Sequence, residues 1–226
     1  MPTTQKTLMF LSSFVTSLGS VVVICSILGT QEWITSTLAI MNSFSNGSVI
    51  ITYGLFRGKS TQELLQGLPE LDKDFEVLGI LNNSSPRSLQ LVTVLFLVLG
   101  LLTSLLSSGF TFYNSISNPY QTFLGPVGVY TWNGISAFST FLTMVLFVGN
   151  TQSNRLSQEL SLKLYPTITI SRTTHSYGYS FWLLLLIILL NIVTVIIIFF
   201  YQKARYQQKQ EERKPVEYAP RDGILF

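Results

Sequence analysis

The chain has 226 residues, of which 47% are hydrophobic and only 11% charged, with 14 Lys and Arg against 11 Asp and Glu. Soluble domains carry about 25% charged residues, so this composition excludes an ordinary soluble fold and points to lipid. A single His and a single Cys leave no material for a Cys–His pair, a Ser–His–Asp triad or a metal cluster. The chemistry implied is non-enzymatic, with no cofactor, metal, nucleic acid or small-molecule substrate.

A hydrocarbon core about 30 Å thick needs roughly 20 mainly apolar residues in a helix. Residues 7–28 (TLMFLSSFVTSLGSVVVICSIL) supply the first such segment. It is longer than the roughly 7 to 15 apolar residues of a secretory signal and lacks a convincing A-x-A site, so it is read as a retained helix. Ser12, Thr16 and Ser20 recur every four residues and give it a small-residue face for close helix packing. Cys25 reads as a small buried apolar residue.

Residues 29–88 form a first external loop. Trp33 stands just past the span, where amphipathic aromatics gather at the interface. Ser48 to Phe56 (SVIITYGLF) follows the turn signal Asn46-Gly47 and is rich in β-branched and aromatic residues, which predicts a strand. Trp33 to Ile40 is its expected partner. Two strands alone are marginal, so further pairing is expected from Phe75 to Leu81 or from Leu164 to Ile170. The polar stretch Arg57 to Lys73 reads as irregular or a short helix. Glu70, Asp72, Asp74 and Glu76 lack the Gly turn and distal Glu of a calcium loop and read as a solvated edge.

Residues 89–110 form the second span, in which Gly100, Ser104 and Ser108 repeat the small-residue spacing. Residues 111–127, uncharged and aromatic with a turn at Asn118-Pro119, form the internal loop. Residues 128–148 form the third span, the least apolar because of Trp132, Asn133 and several Ser and Thr. Residues 149–180 form a second external loop, 181–201 the fourth and most apolar span, and 202–226 a cytoplasmic tail. Asn191, the most polar residue of the last span, is suited to an interhelical hydrogen bond worth roughly 1 kcal/mol at most. The spans carry no Asp, Glu, Lys, Arg or His, so an ion pathway through one monomer is not expected.

Orientation rests on two signals. N-glycosylation patterns occur at Asn46, Asn82 and Asn83, all between the first and second spans. Lys203, Arg205, Lys209, Arg213 and Lys214 closely follow the last span, within the distance over which the positive-inside bias acts. Both termini are therefore placed in the cytoplasm, with the protein reaching the plasma membrane by the secretory pathway. One cysteine permits no intrachain disulfide, so packing and hydrogen bonds must hold the external loops. The C-terminal Ile224-Leu225-Phe226 has the hydrophobic-x-hydrophobic form that adds as a strand to a PDZ groove.

The blocks LGTQEWI (28–34), YGLFRG (53–58), YNSISNPYQTFLGPVGVY (113–130) and YSFW (179–182) resemble those of the clarin family, end to end. Clarins are four-span membrane glycoproteins related to the claudins. The resemblance implies an all-α membrane fold, a four-helix transmembrane bundle with a small claudin-like β-sheet formed by the external loops. In that superfamily the first loop carries a tryptophan, a Gly-Leu-Trp and two disulfide-forming cysteines. Here Trp33, Gly54, Leu55 and Phe56 are similar to the packing motif, with Phe56 in place of the tryptophan and both cysteines absent. The functional expectation is a glycoprotein that organises membrane proteins, or links them to cytoplasmic scaffold and actin, with the family's association with sensory cells. An auxiliary subunit of an ion channel or transporter is the alternative, and a cell–cell adhesion protein the third reading.

Overall fold

A computed structural model describes residues 4–42, 45–64, 72–81, 85–117 and 125–213. Four long apolar helices form the bundle: α1 (Thr4–Gly29), α3 (Ser85–Ile116), α4 (Pro126–Gln152) and α6 (Tyr179–Arg213). Each is longer than the span predicted from hydropathy. The 32 residues of α3 and 35 of α6 extend about 48 and 52 Å, well beyond the hydrocarbon thickness. Hydropathy ends where polar residues begin, but the helical hydrogen bonds lie within the backbone and do not need apolar side chains, so α6 runs on past Tyr201 through a mostly exposed polar stretch.

The helices pack in a ring, α1 against α3 and α6, and α4 against the same two. Their interior is lined by small and hydroxyl side chains, including Ser13, Ser17 and Ser20 on α1, Gly100, Ser104, Ser107 and Ser108 on α3, and Ser136, Ser139, Thr140 and Thr143 on α4. Large apolar side chains such as Val15, Leu95, Phe138 and Leu189 point outward. This inversion is the packing logic of membrane helices: lipid accepts the leucines, while small residues let the backbones approach. It also explains the weak apolar character of the third span, whose polar residues turn inward.

Two expectations are corrected here. Ser12 is exposed, and the contact face of α1 runs one residue further on, through Ser13 and Ser17. Cys25 is also exposed, on the outward face of α1, because Ile24 and Ile27 take the inward positions.

Over one end of the bundle lies a five-stranded antiparallel sheet of order β4-β3-β2-β1-β5, formed by β1 (Ile34–Asn42), β2 (Ser45–Tyr53), β3 (Arg57–Leu64), β4 (Lys73–Glu76) and β5 (Ile170–Tyr177). The pairing of β1 with β2 runs from Ile34 opposite Tyr53 to Asn42 opposite Ser45. The predicted turn at Asn46-Gly47 is therefore replaced by ladder positions opposite Met41 and Ile40. The stretch beginning at Arg57 is a strand, not irregular or helical, because its alternate residues Gly58, Ser60 and Gln62 turn inward and are buried. Of the two candidate partners, residues 75–81 split into the end of β4 and a one-turn helix α2 (Val77–Ile80). Residues 164–170 contribute only Ile170 to a strand: Leu164 ends helix α5 (Leu156–Leu164), and 165–169 form a turn and irregular chain.

Helix α5 lies under the sheet, with Leu156, Ser157, Leu160 and Ser161 buried. It starts at Arg155, the one described non-glycine residue with a left-handed backbone, which turns the chain sharply out of α4. A continuous apolar core then joins sheet to helices, running from Ile34, Leu38, Val49 and Ile51 through Leu156 and Leu160 to Leu97, Phe147 and Leu184.

Candidate functional site at the junction of sheet and helices

The chain leaves α1 at Gly29 and crosses residues 30–33 before entering β1. Two other segments close on this corner. The turn between β2 and β3 contains Gly54-Leu55-Phe56, whose Gly54 amide donates to the Arg57 carbonyl at 2.9 Å. A Cβ at Gly54 would lie closer than 3.0 Å to the Thr30 carbonyl oxygen and 3.2 Å from Gln31 Cα, so only glycine fits. The link from β5 to α6 makes the same demand. A Cβ at Gly178 would fall equally close to the Glu32 carbonyl oxygen, while the Gly178 amide donates to Trp33 at 2.9 Å and the Ser180 amide to Glu32 at 3.2 Å.

Trp33 is fully buried, not an interfacial anchor. Its Nε1 donates to the Ile27 carbonyl at 2.9 Å, and Thr30 Oγ1 donates to the same oxygen at 3.1 Å. Ile27 lies in the last turn of α1, whose carbonyls have no helical partner of their own, so these two side chains cap the helix. The indole ring lies 5.1 Å from Phe147 of α4, which continues through Phe181 of α6 to Tyr177 of β5 with centroid distances of 6.2 and 4.5 Å. Thr30 and Ser180 add a hydroxyl pair at 2.7 Å.

Leu55 is fully buried, and its carbonyl accepts a hydrogen bond from Gln90 Nε2 of α3 at 3.0 Å. Gln90 Oε1 accepts from Asn150 Nδ2 of α4 at 3.2 Å, the same amide that donates to the Pro86 carbonyl at 3.0 Å, and Asn154 Nδ2 donates to Asn150 Oδ1 at 2.9 Å. Three amide side chains thus tie the turn to two helices without a charge. Phe56 points the other way. It is 41% exposed, which corrects its expected place in the packing motif; only its backbone is fixed, its carbonyl accepting from the Val77 amide at 2.9 Å.

Beneath the centre of the sheet runs a hydroxyl chain. His175 Nδ1 pairs with Ser36 Oγ, Ser36 Oγ with Ser157 Oγ, and Ser157 Oγ with Tyr53 OH, each at 2.8 Å. Ser36, Ser157 and Tyr53 are fully buried. Burial pushes the Tyr53 phenol up to about 12, against the opposing hydrogen bonds of Ser157 and Thr151, so it stays protonated. His175, on the edge strand β5, is exposed over much of its surface, and the partial desolvation of its ring on the Ser36 side holds it below the usual imidazole value. These groups bridge β1, β2 and β5 to α5; no hydrolytic role follows, since Ser36 and Ser157 are enclosed.

Gly54, Leu55 and Trp33 therefore meet at one corner, while Phe56 does not. Within the bundle Gly100, Ser104 and Ser108 are buried, Ser104 bonding Ser136 at 2.7 Å. Thr16 bonds Thr194 at 2.7 Å, Ser20 is buried, and Asn191 Nδ2 donates to Ser136 at 3.3 Å and to the Ile187 carbonyl at 2.9 Å. Asn46 is a backbone position in β2. Asn82, Asn83, the Asn118-Pro119 turn and Ile224-Leu225-Phe226 lie outside the described residues. Sequence reasoning missed Thr30, Gln90, Asn150 and Gly178. Gln90 and Asn150 carried a usable signal, being amides at the margins of an uncharged stretch where lipid would penalise an unpaired group.

A protein-family profile described as Clarin-2-like matches residues 4–198. The chain is 75% identical to Clarin-3 of Homo sapiens and 73% identical to Clarin-3 of Mus musculus, each over 226 residues covering all of both chains. It is 26% identical to Clarin-1 of Homo sapiens over 194 residues, 81% of this chain and 83% of that protein.

Proposed function

The chain belongs to the clarin family, and on that premise we propose that it is a non-enzymatic membrane glycoprotein that gathers membrane proteins and links them to cytoplasmic scaffold or actin. The sheet lies outside the cell and both termini inside, at the plasma membrane. Supporting this orientation are the acceptor Asn46 on β2 and the basic residues Lys203, Arg205 and Lys209 that follow the apolar part of α6.

The observation that carries the reading is the junction. Trp33, Gly54, Gly178 and the Gln90–Asn150 amides lock the sheet to all four helices, which makes the outer surface and the spans one body. Such a body suits a protein that holds an external partner in fixed register with one in or beneath the bilayer. Ile224-Leu225-Phe226 would supply the cytoplasmic contact by strand addition to a PDZ domain; deleting Phe226 should then remove cytoplasmic partners from pull-downs.

Proximity labelling in native cells, with one tag on the tail and another at the sheet, tests the proposal. Both tags should mark a common set of membrane proteins, and the tail alone should mark scaffold and actin-linked proteins. Selective current from the reconstituted protein alone, or clustering of non-adherent cells that express it, would displace this reading.

A further inference from the structure

The outward face of α3 is not evenly ridged. In its last third, towards the end of the bundle away from the sheet, Leu105, Leu106, Gly109, Phe110 and Tyr113 line a groove of about 470 Å³. Residues three and four apart share one helix face, so Gly109 lies between Leu105, Leu106 and Tyr113 with no side chain of its own. A Cβ at Gly109 would meet nothing within 4 Å, which makes this glycine an open notch and not a close helix contact. The three flanking side chains are 42% to 47% exposed. The Phe110 ring, 6.2 Å from that of Trp132 on α4, forms a wall anchored in the bundle.

Because α3 crosses lipid, the groove opens onto the hydrocarbon, and molecules dissolved in the bilayer are the ones that reach it. Apolar character alone selects nothing there, since lipid tails are as apolar as leucine; shape and hydrogen bonding do the selecting. From Leu105 to Tyr113 the groove runs about 12 Å along the helix, and its volume lies in the range of about 300–1,000 Å³ that suits a drug-sized molecule. Its two ends differ. One is leucine, and the other is Tyr113, which brings the only hydroxyl among the described lining residues and stands three residues before α3 ends at Ile116. A tyrosine so placed sits where amphipathic rings meet the membrane surface. A flexible acyl chain laid in the groove loses conformational freedom and offers the phenol nothing, whereas a rigid fused-ring body keeps its shape on binding. A single hydroxyl at one end of such a body finds a partner in Tyr113 at the edge of the hydrocarbon, where an unmet polar group is costly.

We propose that this groove binds a membrane sterol, with the ring system lying across Gly109 and the hydroxyl paired with Tyr113. The site does not depend on the partner-organising role; it needs only that α3 spans the bilayer.

The test uses the full chain in phosphatidylcholine nanodiscs containing a sterol with a photoreactive diazirine on its ring system, the adducts being mapped by peptide mass spectrometry. Adducts should fall within residues 105–113. Gly109→Leu fills the notch and should lower labelling about tenfold, while Gly134→Leu, at an exposed α4 glycine that is equally open around its Cβ, should leave it unchanged. Tyr113→Phe should lower labelling about fivefold, the loss of one neutral hydrogen bond. In the wild type the sterol epimerised at its hydroxyl should compete less well than the natural one, and Tyr113→Phe should abolish that preference, a readout that a change in folding alone would not produce. Equal labelling in Gly109→Leu and wild type would overturn the site, as would a Tyr113→Phe variant that still prefers the natural epimer. Displacement by added phosphatidylcholine as effective as by unlabelled sterol would make the occupant an acyl chain and overturn the sterol. A dimer in native mass spectra that Gly109→Leu abolishes, without sterol adducts in the wild type, would assign the groove to a second copy of the chain instead.

Discussion

Gly54→Ala is the sharpest perturbation of the junction. The added methyl would meet the Thr30 carbonyl oxygen closer than 3.0 Å, with the Thr30 carbonyl carbon at 3.1 Å and Gln31 Cα at 3.2 Å. All three are backbone atoms of the corner that Trp33 and Thr30 cap, so no side chain can rotate away. Overpacking of this kind costs typically 1–3 kcal/mol. Relief requires the turn to move, which strains the 3.0 Å bond from Gln90 to the Leu55 carbonyl and threatens to leave a buried acceptor unmet, about 1–3 kcal/mol more. The sum, about 2–6 kcal/mol by those ranges, is a large share of the stability of a single domain. Gly149→Ala is the control, because nothing lies within 4 Å of its added Cβ and alanine favours the helix. Surface biotinylation and thermal unfolding of the detergent-purified protein should show Gly54→Ala depleted and less stable, with Gly149→Ala at least as stable as wild type. Wild-type surface level and melting temperature in Gly54→Ala would refute the close-approach reasoning.

The two halves of the Leu55-Phe56 pair should separate in the same assay. Leu55→Ala should cost about 2–5 kcal/mol as a buried truncation, whereas Phe56→Asp, on an exposed side chain, should leave surface delivery close to wild type. His175 has its folded value held below the unfolded imidazole value, so its stabilising effect is complete above the unfolded pKa and is lost as pH falls through the folded one. Thermal stability should therefore decline from pH 7 towards 5, and His175→Gln should flatten that decline. Tyr53→Phe should cost about 1 kcal/mol by chemical denaturation, since Ser36 and Ser157 keep each other as partners. Asn191→Leu should shift stability by less than about 1 kcal/mol: the 3.3 Å bond to Ser136 is weak, and the buried Asn191 Oδ1, which has no hydrogen-bond partner among the described residues, is removed with it.

Much of the architecture was legible because lipid imposes simple rules. Charge-free apolar runs locate the four helices, and the spacing of Gly100, Ser104 and Ser108 on the second span marks a packing face, since a bilayer makes large apolar residues the outer ones. The strand read over Ser48 to Phe56 also followed from composition, although β2 ends at Tyr53 and Gly54-Leu55-Phe56 form the turn after it. The reading went astray where the face of an element, rather than its existence, was in question. Ser12 and Ser13 are neighbours of one chemical type, and only the position of α3 and α6 decides that Ser13 turns inward. Leu55 and Phe56 are both apolar, but successive residues of an extended turn point to opposite sides, and the approach of Gln90 selects Leu55.

Composition and hydropathy by themselves determined that the chain crosses lipid as four helices and carries a small β element between them. Those properties are local, set residue by residue through transfer to hydrocarbon and backbone hydrogen bonding. Tertiary structure decided that Arg57–Leu64 joins the sheet, that β5 closes its other edge, and that Trp33 is a buried cap between α1 and α4. It also brought Gly54 and Gly178 to opposite sides of one four-residue corner, and Lys6 to Arg205 at the far end of the bundle. These residues are separated by more than a hundred positions, and which of them meet depends on how the helices pack.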